Sequence, residues 1–249
     1  MQLLLVYHRV APPGAADLYR VPAETLRKHL SLVAESGLPI VNPRCWSAHD
    51  RGVVFTFDDG TVDHFDTARP ILQQFGVTGL FYVPTAKLGS EGHMTADQVG
   101  RLFTEGHTIG SHGHTHTRLD ALTPSMVRSE MEMSGEAIQR ITGQHPLHFA
   151  PPGGFYNDAV QRIAVELGYR FFRTMRWGYN RRFKAMRLEV VPITGRWGDA
   201  FLISALRGKR EWLLRTTHLS KAAIQCVLSP DAYDQLRGLV RATAARHPA

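Results

Sequence analysis

The sequence predicts an α/β fold in which a parallel sheet, closed as a barrel or left open, carries helices on its outer face. Three observations lead there. Short apolar runs rich in β-branched and aromatic residues alternate with longer helix-like stretches along most of the chain. The runs are apolar at nearly every position, as strands covered on both faces must be. With 249 residues, 43% of them apolar, the chain is long enough for one large core, and an α/β barrel commonly takes about this length as a single domain.

The elements follow in order. Leu3 to Tyr7 reads as a first buried strand, with His8 and Arg9 directly after it. Residues 22–37 read as a helix: Pro22 suits the first turn, Leu26, Leu30, Leu32 and Val33 form an apolar stripe, and Gly37 stops it. Leu38 to Val41 is a short second strand, and 53–59 a third that ends in Asp58-Asp59-Gly60. Helices are expected over 66–75, over 95–105 with Thr95 as its cap, over 124–142 with Thr123 as its cap, and over 157–168. Strands are expected at 79–83, 108–111, 148–150, 171–174 and 188–193. Residues 200–206 and 232–245 look helical, while 195–230 is irregular and is read as a C-terminal extension of one domain covering 1–249.

Composition narrows the function. The formal net charge is +7, which favours anionic partners such as an acidic glycan, an acidic lipid surface or nucleic acid. The basic residues are scattered, with an excess at Arg173, Arg176, Arg181, Arg182, Lys184 and Arg187 that reads as a solvated surface. No clustered reader motif for nucleic acid is present, so no nucleic-acid partner is expected. Cys45 and Cys226 form neither a metal-like spacing nor a disulfide framework. The opening residues lack a basic leader region, and no apolar run approaches the roughly 20 residues of a membrane span. A cytoplasmic protein is expected, or one peripheral to the inner membrane face.

In α/β folds reactive groups gather at the carboxyl ends of the strands. Here those ends carry His8, then Asp58 and Asp59, then Ser111-His112-Gly113-His114-Thr115-His116, then Pro151-Pro152-Gly153-Gly154, then Met175-Arg176-Trp177. Two neutral imidazoles and one carboxylate make a ligand set that leaves positions open for water and substrate. Asp59 is the natural carboxylate, which frees Asp58 to accept a proton. Spacing leaves open which two of the three histidines bind: His112 and His116 share a helical face, and all three share an extended one. The Pro-Pro-Gly-Gly stretch is stiff and then bare, so a backbone N–H there can approach an oxyanion. Trp177 and Tyr179 lie past a strand end, placed either to stack on a sugar ring or to pack a lid loop.

Thr56-Phe57-Asp58-Asp59-Gly60, the His112-x-x-x-His116 pair and Phe149-Ala150-Pro151-Pro152-Gly153-Gly154 occur in the order seen in the polysaccharide deacetylases, which the chain resembles over roughly residues 1 to 195. Val6-Tyr7-His8-Arg9-Val10 and His93-Met94-Thr95 also look like that family. The resemblance implies a distorted (β/α) barrel of seven parallel strands. It also implies a divalent metal, zinc first and cobalt or nickel otherwise, held by Asp59, His112 and His116. Asp58 would be the general base and the Gly153 N–H the oxyanion donor. From their places past strand ends, Pro152 and Trp177 are the residues expected against the substrate. The reaction implied is removal of an acetyl group, N-acetyl ahead of O-acetyl, from an amino-sugar-containing saccharide or glycoconjugate, with anionic and lipid-linked forms among the candidates.

Two departures from the family pattern stand out. Many members carry an arginine, orienting the base, where this chain has Ala150. The family's last motif, whose histidine acts as general acid, has no clear match, which leaves His8, His114 and His218 as candidates. These departures support an alternative reading, a catalytically impaired carbohydrate-binding homologue on the same scaffold.

Overall fold

The computed structural model of the protein describes residues 1–11, 18–47, 49–195 and 198–227, with side chains up to residue 219. In chain order the elements are β1 (Gln2–Tyr7), β2 (Arg9–Val10), β3 (Arg20–Val21), α1 (Ala23–Glu35), β4 (Gly52–Phe57), α2 (Arg69–Gln74), β5 (Leu80–Val83), α3 (Ala96–Thr104), β6 (Thr108–Ser111), α4 (Pro124–Thr142), β7 (His148–Phe149), α5 (Asp158–Glu166), β8 (Phe171–Trp177), β9 (Leu188–Pro192), α6 (Asp199–Leu206) and α7 (Glu211–Val227).

Seven strands close a barrel in the order β1-β4-β5-β6-β7-β8-β9, and β9 returns to β1 through Leu5↔Val191 and Val6↔Pro192. Every pairing in the barrel is parallel. The apolar runs follow from this architecture. β1, β4, β5 and β6 are buried at every position, because side chains alternate between the barrel interior and the helix layer. The helix caps read from sequence hold as well. Thr95 and Gln98 form a reciprocal capping box at α3. Thr123 caps α4, which ends at Gly143 with φ 76°, a left-handed turn suited to glycine.

Several expectations are corrected. Residues 38–41 are not a barrel strand: Ile40 makes one isolated bridge to Val53, between Pro39, which has no N–H to offer, and Pro43, which opens a 3-10 turn. The helix expected from residue 66 begins earlier, as a π turn over His64–Ala68 that runs into α2. A two-stranded parallel sheet, β2 with β3, was not legible from residue pairs so short. The helix expected over 200–206 is present as α6, while α7 occupies part of the stretch read as irregular. The helix expected over 232–245 lies outside the described residues. Among the described residues no helix is long and apolar enough to cross a membrane.

Three histidines outside the barrel mouth are buried neutral. Burial pushes His29, His107 and His148 down to about 4. The Gly79 N–H donates to His107 Nδ1 at 3.0 Å, a bond that a proton on that nitrogen would break. The unfolded chain, with imidazoles near 6.5, therefore binds more protons than the folded one between pH 6.5 and about 4. Stability is complete above that window and falls as pH drops through it, each group contributing up to roughly 1.4 kcal/mol per unit. The urea midpoint is expected to hold level above about pH 7 and to decline steadily toward pH 4.5; a level midpoint across that range would refute this account.

Candidate metal centre and its surround

One mouth of the barrel collects the strand ends. β1 delivers His8, β4 delivers Asp58 and Asp59, β6 delivers His112, and β7 leads into Pro151–Gly154. Asp59 and His116 both adopt left-handed backbone conformations, with φ of 76° and 69°. Such strain costs a non-glycine residue on the order of 1–3 kcal/mol and collects where a site must aim a side chain.

The aim here is convergence. His116 Nε2 lies 3.0 Å and His112 Nε2 3.4 Å from Asp59 Oδ1. One ligand atom from each of the three residues can be chosen so that all lie within 4.8 Å of one another. His112 Nδ1 donates to the Ala150 carbonyl at 2.7 Å. A carbonyl only accepts, so Nδ1 carries the hydrogen of that bond, and Nε2 is the ring nitrogen that faces Asp59. Desolvation alone would raise the Asp59 carboxyl. Hydrogen bonds with His112 and His116, with His8 adding, overcome it and hold the group well below the usual carboxylate range. Two imidazole nitrogens and a carboxylate oxygen, oriented in this way, fit a divalent cation with open coordination positions.

The structure also separates the third histidine. His114 Nδ1 bonds Thr85 Oγ1 at 2.9 Å, and its backbone N–H donates to Glu130. Glu130, on α4, accepts from the N–H groups of His114 and Thr115 and from the Thr115 hydroxyl, so α4 clamps the histidine loop. Gly113, at φ 74°, makes the turn, and a Cβ there would stand 3.5 Å from Pro152. Pro152 is buried and packs behind this loop.

Asp58 is 2% exposed, and one of its oxygens is paired with Arg173, whose side chain is fully buried. Its Oδ1 has no hydrogen-bond partner among the described residues, leaving an acceptor free at the mouth. Arg173 is the functional residue that sequence reasoning missed, having grouped it with a solvated basic surface. The β7–β8 register pairs His148 with Phe171 and Phe149 with Phe172. Continued by one step, it sets Arg173 beside Ala150. A guanidinium thus reaches Asp58 from β8, beside the position where the family resemblance leads one to expect an arginine. The available signal was a lone arginine within Phe171-Phe172-Arg173-Thr174, since an arginine in a buried strand needs a buried partner.

His8 Nε2 lies 3.9 Å from Asp58 Oδ2. Burial lowers the His8 ring below its ordinary value, against the pull of Asp58 and Asp59, so the ring is neutral near pH 7. The His8 carbonyl accepts from His64 Nε2 at 2.6 Å, which ties the π turn to the site. Gly153 is exposed at φ 63°, and the hydrogen bonds of its turn come from the Gly154 and Phe155 N–H groups, leaving the Gly153 amide outside them. Trp177 is not brought to the cluster. It is 9% exposed, belongs to the core, and faces His218 of α7 at 6.4 Å between ring centroids. Tyr179 is likewise buried, its hydroxyl donating to the Lys209 carbonyl at 2.5 Å. These placements favour packing over sugar stacking for both aromatics.

Barrel and cluster together define a class: a seven-stranded (β/α) barrel with two histidines and one carboxylate converging at its carboxyl mouth. The sequence profile of the polysaccharide deacetylases matches residues 47–172. The chain belongs to that family. It is 27% identical to YxkH, a polysaccharide deacetylase homologue of Bacillus subtilis, over 80% of this chain and 74% of that one. It is 30% identical to the peptidoglycan-N-acetylmuramic acid deacetylase PdaA of the same organism, over 49% of this chain and 45% of that one. The fold matches the Streptococcus pyogenes deacetylase PplD with a TM-score of 0.74 and 23% identity, covering 82% of this chain and 97% of that one.

Removing one partner of the Arg173–Asp58 pair leaves the other charge buried and unpaired, a loss of about 3–5 kcal/mol. Arg173→Met and Asp58→Asn are each expected to destabilise by that order. The double variant should cost clearly less than the sum, because neither orphan remains. Denaturant melts of the four proteins check this, and additive losses would contradict it.

Proposed function

We propose that the protein is a metal-dependent deacetylase that removes an N-acetyl group from an amino sugar within a saccharide or glycoconjugate. The observation that carries this reading is the convergence of Asp59, His112 and His116 beside an Asp58 that keeps one carboxylate oxygen unbonded. A divalent cation bound there, zinc by the donor set, would acidify water and polarise the acetyl carbonyl. Asp58 Oδ1 takes the proton from the attacking water. The Gly153 N–H donates to the developing oxyanion, where a single such donor is commonly worth about 100-fold in rate. As the C–N bond breaks, a proton must reach the sugar nitrogen. His8, beside Asp58, is placed to pass it on, and separations near 4 Å in a free site shorten once substrate binds. The products are acetate and the free amine.

His8 is preferred to the other candidate acids on position. His114 is bonded to Thr85, His218 packs against Trp177, and the last barrel strand ends in Pro192-Ile193-Thr194 without an imidazole. The catalytically impaired alternative loses one of its two grounds, because Arg173 stands in for the arginine absent at position 150. Relatives named for peptidoglycan and chitin motivate the choice of N-acetylated oligosaccharides as first substrates.

Acetate release from N-acetylglucosamine oligomers, measured before and after chelation and zinc restoration, tests the reading. Activity is expected to vanish with chelator and return with metal. Asp58→Asn should lower kcat by at least 100-fold, His8→Ala by at least tenfold, and His218→Ala by less than twofold, ten being about 1.4 kcal/mol. Full activity without metal, or an active Asp58→Asn, would overturn the proposal. Parallel O-acetylated substrates decide between amide and ester.

A further inference from the structure

The basic excess that follows Arg173 divides in the fold. Arg173 enters the barrel, while Arg181, Arg182, Lys184 and Arg187 gather with Arg215 around a recess of about 370 Å³ that also contains Glu189. The recess lies at the end of the barrel away from the metal centre. Asn180, in its wall, exchanges both backbone hydrogen bonds with Gln2, the first residue of β1, and Glu189 is the second residue of β9. The Asp58 N–H bonds the carbonyl of Tyr7, five residue steps further along β1, or about 17 Å at roughly 3.3 Å per step.

Five cations face one carboxylate in this lining, a net +4, and counting the adjoining Glu211 still leaves +3. Two of the arginines are held in place. Arg215 bonds Glu189 at 3.0 Å and Glu211 at 2.7 Å, while Arg181 bonds Glu211 at 2.6 Å and the Gly208 carbonyl at 2.9 Å. Arg182, Lys184 and Arg187 have no carboxylate partner among the described residues. Like charges gathered without counter-charges repel one another, and an anion seated among them removes that repulsion.

We infer that this recess is a second, non-catalytic binding site for a phosphate ester. Four of its five cations are arginines, whose planar forks match phosphate oxygens in pairs. A carboxylate offers two oxygens and one charge, and engages a single fork. A phosphate ester offers more oxygens and up to two charges, which suits several guanidinium groups at once. The volume falls in the range of small-ligand pockets, roughly 300–1,000 Å³, so a phosphorylated polyol or sugar fits as well as a bare phosphate group. The inference does not depend on the deacetylase reading.

Titration calorimetry of the full chain with glycerol 3-phosphate, and co-sedimentation with phosphatidylglycerol-containing vesicles against phosphatidylcholine vesicles, test it. Binding is expected in at least one arm. The first arm identifies a soluble ester and the second alone a lipid headgroup, and either upholds the site. Arg182→Glu with Lys184→Glu should weaken binding at least tenfold. Arg140→Glu with Arg162→Glu, the same charge change on α4 and α5, should leave it unchanged. Residues 182 and 184 are exposed, so a matching melting temperature verifies folding. Sodium acetate at equal ionic strength should not saturate. Binding in neither arm, equal weakening by both variant pairs, no weakening by the first pair, or acetate binding as tightly as the ester would each overturn the inference.

Discussion

The ion pair between Arg173 and Asp58 joins β8 to β4 through the barrel interior, between strands that are not neighbours in the sheet. Burying two charges is expensive, several kcal/mol for each ion, and only close contact with further support offsets it. Support is present. The guanidinium lies 5.0 Å from the Tyr82 ring centroid, and its Nη1 reaches Met175 Sδ at 2.8 Å. The pair fixes one carboxylate oxygen and leaves the other unbonded. The next residue, Asp59, is turned by its left-handed backbone toward the two imidazoles. Two adjacent acids thereby acquire different partners, one a buried cation and the other a pair of histidines.

A second layer holds that division in place. The Ala150 carbonyl accepts from His112 Nδ1, Glu130 anchors the loop between His112 and His116, and His64 grips the carbonyl of His8. The turn after β7 is equally constrained. A Cβ at Gly154 would come within 2.3 Å of Met175, so the backbone there runs against β8 with no room for a side chain. The oxyanion candidate, Gly153, is thus positioned by the same strand that supplies Arg173. Asp58, His112 and the Gly153 turn are held relative to one another through contacts with β8 and the end of β7.

Much of this was legible in the sequence because it follows from local rules. Apolar runs gave the barrel strands, and Thr95 and Thr123 gave the starts of two helices. The carboxyl ends of the strands gave the cluster. What was not legible depends on contacts distant in sequence. Only its place within an apolar strand sets Arg173 apart from Arg181 and Arg182, which stand in water, and its partner Asp58 lies 115 positions away. Trp177 looked available because it ends a strand, but α7, unassigned from sequence, packs against it. The choice between His112, His114 and His116 needed Thr85, nearly thirty positions upstream of His114. Residues 38–41 have the composition of a strand and are limited to one bridge by the prolines around them.

Closure of the barrel through Leu5↔Val191 has a consequence for biogenesis. The opening strand cannot gain its second neighbour until nearly two hundred residues have left the ribosome, roughly ten to forty seconds at ordinary synthesis rates. During that interval β1 pairs only with β4, and its other edge offers unsatisfied amides and carbonyls to any extended chain nearby. The nascent protein is therefore most prone to sticking late in translation. Shielding of that edge by a chaperone should improve yield more than any gain in the stability of the finished barrel.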